Sequence, residues 1–246
     1  MRLREGLGSA TANCNKGTRA VSGGFDAPGF AADPPDGSYV EAFATLRSTR
    51  RRWTSTAGNF LSAADRGTLL DFAYCSDKLP RLRTKSSSST TVPNGGLESL
   101  TVRCPKGGEA VSGGFKAPGS GFNQVAVFES RRLGKRKWVV TGSGTSTSES
   151  RLKAFAYCAK HKLGLTEKVA TTSSAQDSVI LAQKARCKEG EVAVSGGFAS
   201  TLDEDVYVQV FRSRRAGKRG WKAAAGSYPS GGTLTEWDVY AYCLDW

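Results

Sequence analysis

Three short basic segments carry the chemistry most readily read from this sequence. They are TLRSTRRR (45–52), SRRLGKRK (130–137) and SRRAGKRG (213–220), and a tryptophan follows each one: Trp53, Trp138 and Trp221. Their basic residues are Arg47, Arg50, Arg51 and Arg52, then Arg131, Arg132, Lys135, Arg136 and Lys137, then Arg214, Arg215, Lys218 and Arg219. These 13 side chains face no acid within the segments and equal the whole net charge of +13; the rest of the chain balances at 22 basic and 22 acidic residues. The chemistry is anion binding. Arginine predominates, and its planar fork suits bidentate contact with sulfate, phosphate or carboxylate. Charges gathered on one face also raise the local concentration of counter-ions and steer polyanions. The expected partner is an anionic polysaccharide or another polyanion, with nucleic acid the weaker candidate. The competing reading is that basic turns only keep the chain soluble and block edge pairing.

Catalytic signatures are scarce. The single histidine, His161 in AKHKLG, rules out histidine triads and multi-histidine metal sites, and no G-x-S-x-G elbow occurs. Asp203, Glu204 and Asp205 form an acidic run, matched in the first third of the chain by Asp33 and Asp36. Such carboxylates could serve a glycosidase or a calcium ion, but the run lacks the spacing of a calcium loop and reads as a solvated turn. The expectation is a non-catalytic binding protein that needs no cofactor or metal and acts as a monomer. A structural surface or coat protein that self-associates is the alternative, and a glycosidase-type enzyme is a weaker one.

The elements that must hold the basic segments repeat three times. CNKGTRAVSGGF (14–25), CPKGGEAVSGGF (104–115) and CKEGEVAVSGGF (187–198) are copies of one unit. Each runs through a strand-like stretch to Phe43, Phe128 or Phe211, then the basic segment, then the tryptophan, and closes on Ala-Tyr-Cys at 73–75, 156–158 or 241–243. The basic segment therefore joins two strand-like stretches and reads as a hairpin tip, with Gly134 and Gly217 suited to a positive φ and Thr49 in that place in the first copy. Repetition in all copies marks the three tryptophans as core, and Trp237, standing where Leu69 and Leu152 stand, joins them. The Ser/Thr-rich tracts 84–92 and 168–174 have equal settings between copies and alternate, so they read as strands. The first copy lacks most of this lead-in, which fits a start trimmed from a longer chain.

Periodicity and composition point to an all-β fold. With 29 glycines, 39% hydrophobic residues and no apolar run of membrane length, the chain suits many short strands. The expected architecture is a single domain over 1–246 of three repeats (about 10–77, 100–160 and 183–245) with pseudo-threefold symmetry, as a β-prism; three small domains in a row is the alternative. The Gly-Gly pairs at 23–24, 113–114 and 196–197 sit where backbones approach closely.

Six cysteines fall two per copy, Cys14 and Cys75, Cys104 and Cys158, Cys187 and Cys243. Two pairings respect the repeat: one within copies, the other across the segments between them. Either implies three disulfides and an oxidising compartment, so the protein is expected to be secreted or held at the cell surface. The opening thirteen residues lack the apolar stretch of a signal peptide.

The Cys…Gly-Gly-Phe…Trp…Ala-Tyr-Cys unit resembles a repeat of secreted proteins from actinobacteria and related Gram-positive bacteria. Its architecture is similar, more distantly, to threefold β-prism proteins of the vitelline membrane outer layer and jacalin-like lectin families. That likeness implies three sheets around an axis; no sugar-binding residue of those lectins has a counterpart here.

Overall fold

The computed structural model of the chain describes residues 2–3, 6–27, 40–59, 67–117, 125–144, 150–176, 179–200, 206–229 and 234–245. Their regular elements are all strands, arranged in three large sheets and one two-residue pair. No helix is long and apolar enough to cross a membrane.

Each copy supplies five strands in the same order. The first gives Gly6–Asn13, Arg19–Asp26, Val40–Thr49, Arg52–Asn59 and Leu70–Ser76. The second gives Leu97–Arg103, Glu109–Lys116, Val125–Leu133, Lys137–Gly144 and Ser150–Ala159. The third gives Val179–Arg186, Glu191–Ser200, Val206–Arg215, Gly220–Pro229 and Thr235–Asp245. No large sheet belongs to one copy. The hairpin of the first copy pairs with the Gly-Gly-Phe strand of the second through Thr45 and Phe115. That of the second meets the third through Ser130 and Phe198, and that of the third returns to the first through Ser213 and Phe25. The exchange closes on itself.

The two glycines of each Ser-Gly-Gly-Phe do different work. A Cβ on Gly23, Gly113 or Gly196 would come within 2.1–2.3 Å of the indole of Trp53, Trp138 or Trp221 in the same copy. A Cβ on Gly24, Gly114 or Gly197 would come within 2.1–2.4 Å of the carbonyl of Ser213, Thr45 or Ser130 on the neighbour's hairpin. The first glycine admits the tryptophan, and the second admits the neighbouring backbone.

Bulges recur at equivalent places. The register slips at Val21, Val111 and Val194, and again at Phe43, Phe128 and Phe211. A bulge leaves its extra residue outside the regular ladder. The freed valine carbonyls accept hydroxyls from the next copy: Ser112 Oγ donates to Val21 O at 2.5 Å, Ser22 Oγ to Val194 O at 2.5 Å, and Ser195 Oγ to Val111 O. Three serines and three valines thus close a buried ring through all three copies.

Disulfides join Cys14 to Cys75, Cys104 to Cys158 and Cys187 to Cys243, the within-copy pairing. The Ser/Thr-rich tracts are strands as expected: Thr166–Ser174 lies along Thr235–Asp245, and Arg83–Ser86 with Thr90–Val92 lies along Ser150–Ala159. The third sheet has no such addition among the described residues, and ends at Leu70–Ser76. Trp53, Trp138, Trp221 and Trp237 are all buried. Trp246, Asp33, Asp36 and the run Asp203, Glu204 and Asp205 lie outside the described residues.

Candidate functional site

The basic segments are hairpin tips, as the sequence implied. Gly134 and Gly217 take φ values of 63° and 72°. Two main-chain bonds tie each tip to the start of its own copy. Arg51 O accepts from Cys14 N and Arg50 O from Ala20 N; Arg136 O and Lys135 O accept from Cys104 N and Ala110 N; Arg219 O and Lys218 O accept from Cys187 N and Ala193 N, all at 2.7–3.1 Å. Each of those alanines immediately precedes a valine of the buried ring. The three tip backbones are therefore anchored around one end of that ring.

The 13 predicted side chains divide by environment. Arg50, Arg51, Arg52, Lys135, Lys218 and Arg219 are exposed. None of these six is in an ion pair among the described residues. The other seven are partly or fully withdrawn. Arg131 pairs with Glu129 at 2.6 Å, and Arg214 shares Asp26 with Arg212 at 2.7 and 2.8 Å. Arg136 donates Nη2 to Cys104 O at 3.0 Å, while Lys137 is partly buried beside it in the strand.

Arg47, Arg132 and Arg215 stand at one equivalent position, four residues after the bulged phenylalanine, and they are structural. The backbone N–H of each donates to a tyrosine hydroxyl of the next copy: Arg47 to Tyr157, Arg132 to Tyr242 and Arg215 to Tyr74, each at 2.7 Å. Each guanidinium lies over the same ring at 4.5–5.0 Å from its centroid. The tyrosine in turn meets a tryptophan edge-on: Trp53 with Tyr157, Trp138 with Tyr242, Trp221 with Tyr74, at 5.3–5.7 Å. The hairpins therefore carry core residues as well as exposed charge. Arg132 is 4% exposed and donates to Glu109 at 3.0 Å and to Leu165 O at 3.1 Å. The signal was present, since Arg recurs at this position in all three copies just as the tryptophan does.

A cleft missed at the level of sequence opens beside Arg47. Its volume is about 830 Å³, and its wall carries Arg19, Arg47, Arg50, Arg81 and Arg83, with Lys160 and His161 at one side. No carboxylate lines it among the described residues. Burial first, and the Arg81 charge after it, hold the Arg47 guanidinium below its usual pKa. His161 is exposed here and has no paired nucleophile among its cleft neighbours.

Metal-ligand types cluster among the described residues at Cys187, Glu191 and Cys243, but both sulfurs are spent in a disulfide. The Asp71 carboxyl is held well above its usual pKa, to about 7, by burial against the hydrogen bonds from Ser55 and Ala12. It lies between two strands, with Ser55 Oγ at 2.5 Å and Ala12 N at 2.9 Å, and serves that packing. Searched against protein-family models and curated proteins, the chain matches none.

Proposed function

We propose that this is a secreted, non-catalytic binding protein whose basic hairpin tips engage an anionic polymer such as an acidic or cell-wall glycan. The observation that carries the reading is the set of six exposed cations Arg50, Arg51, Arg52, Lys135, Lys218 and Arg219, in no ion pair among the described residues, on three tips tied around one end of the serine–valine ring. Single exposed charges contribute about 1 kcal/mol or less each, so a ligand must span several tips. Binding then draws on counter-ion release and weakens steeply with salt. Three disulfides and the resemblance to repeats of secreted actinobacterial proteins support the compartment. The closed exchange of strands among three sheets supports the reading of a single domain of the prism type. A glycan and polyanion array at two salt concentrations tests the reading. Signals confined to anionic polymers, and lost at high salt, support it; signals on neutral glycans alone oppose it.

The alternative, self-association as a surface or coat protein, draws on one observation. Among the described residues the third sheet ends at Leu70–Ser76 where the other two carry a further strand, and an open edge is a template for pairing. Sedimentation over a concentration series separates a monomer from such an assembly.

A further inference from the structure

In the second copy, the carboxylate of Glu109 fills a ready-made oxyanion site. Its Oε1 accepts from Arg132 Nη1 at 3.0 Å, and its Oε2 accepts from the backbone N–H groups of Leu163 and Gly164 at 2.6 and 3.1 Å. Counting back from the serine of Ser-Gly-Gly-Phe, the same place holds Arg19 in the first copy and Val192 in the third. The first copy keeps the arginine, Arg47, over its tyrosine. It lacks the carboxylate and puts a second cation where the carboxylate would be. Arg81 stands where Gly164 stands, and Pro80, with no N–H, where Leu163 stands.

The result is the cleft of about 830 Å³, lined by five arginines and, among the described residues, by no acid. Arg47 keeps the bond to Leu82 O, as Arg132 does to the equivalent Leu165 O, but its Nη1, with no carboxylate to meet, goes to Ala20 O at 3.3 Å, and its Nη2 also reaches Thr84 Oγ1 at 2.8 Å. The Nε of Arg19 is buried with no hydrogen-bond partner among the described residues. A buried donor left unpaired is costly, and like charges brought together in a partly buried cleft repel. Both costs vanish when an anion enters.

We infer that this cleft is a binding site for a phosphate- or sulfate-type oxyanion group, which takes the place that the Glu109 carboxylate occupies one copy later. The ligand is a small molecule or end group bearing such a group, because the cleft is larger than one phosphate. The site stands apart from the polymer reading. It uses only Arg50 of the exposed tip residues, and it would bind a free ion even if the tips bind no polymer.

Isothermal titration of the intact, oxidised protein with inorganic phosphate, sulfate and glucose 6-phosphate tests the inference at low salt. Wild type is expected to bind with one site, and tighter binding of glucose 6-phosphate assigns the remaining volume to a sugar rather than to the free ion. Arg19→Glu places a carboxylate beside Arg47, restoring the Arg–Glu pair of the second copy but not the N–H that Leu163 supplies there, and should fold because the new charge meets a cation. It is expected to weaken all three ligands by roughly tenfold or more, through lost charge-assisted hydrogen bonds. Arg19→Val, the residue of the third copy, removes the charge without adding an acid and should give an intermediate loss. A variant neutralised at Lys135, Lys218 and Arg219, outside the cleft, should bind phosphate as wild type does even when polymer binding is lost. Absence of saturable binding in wild type, or unchanged affinity in a folded Arg19→Glu protein, overturns the site.

Discussion

Glu109 and Arg132 meet at 3.0 Å with both side chains almost wholly withdrawn from water, 1% and 5% exposed. They join the Gly-Gly-Phe strand of the second copy to a residue of its hairpin whose backbone N–H serves the Tyr242 hydroxyl of the third. Removing one partner leaves a buried charge uncompensated, which costs about 3–5 kcal/mol. Arg132→Met is therefore expected to lower stability by that order in denaturant titration. Replacing both residues by apolar ones should restore much of it. If Arg132→Met unfolds at the wild-type midpoint, the pair has no structural role.

Gly113 and Gly134 make a contrasting pair. A Cβ on Gly113 would meet the Trp138 indole at 2.3 Å, whereas one on Gly134 would meet nothing within 4 Å, although φ there is positive. Gly113→Ala should cost about 3 kcal/mol or more through overpacking. Gly134→Ala should cost about 1 kcal/mol through backbone strain alone. Equal thermal midpoints for the two variants would contradict this account of the repeated glycine.

Asp71 gives the fold a pH dependence. Its folded pKa, about 7, lies above the usual 3.8, so the folded state binds the proton more tightly than the unfolded chain. Its contribution is fully present below about pH 4 and is lost as pH rises through about 7. An Asp71→Asn protein lacks this loss. Its thermal midpoint minus that of wild type should grow between about pH 4 and about pH 8; a constant difference would remove Asp71 as the cause.

The three disulfides differ in access. Cys75 is exposed, whereas Cys14 and the four cysteines of the other two bridges are buried. Mild reduction followed by alkylation should label Cys14 and Cys75 before the other four. Simultaneous labelling of all six would show that global unfolding, not exposure, controls reduction.

Much of this was legible because the chain writes its unit three times. The strands, the within-copy option for the cysteines, the buried tryptophans and the glycines at close approaches all follow from matching positions. The exchange of strands did not, because near-identical copies leave no mark of whether Phe25 pairs with its own hairpin or with Ser213. Arg132 was misread for a related reason. Charge marked it as a tip residue, and only the tyrosine and Glu109, brought in from elsewhere in the fold, make it part of the core. The cleft was hidden because its cations come from four separate segments, and no single stretch holding Arg19, Arg47, Arg81 and Lys160 reads as a cluster.

The central claim is that the exposed tips bind an anionic polymer, and a salt gradient on an immobilised polyanion tests it most directly. The variant to compare with wild type carries glutamine at Arg51, Arg52, Lys135, Lys218 and Arg219, leaving the structural arginines and the cleft intact. It should keep the wild-type thermal midpoint and elute at markedly lower salt, while changing a single tip should give a smaller shift. Elution of the folded variant at the wild-type salt concentration would contradict the claim and leave the tips as solubilising turns.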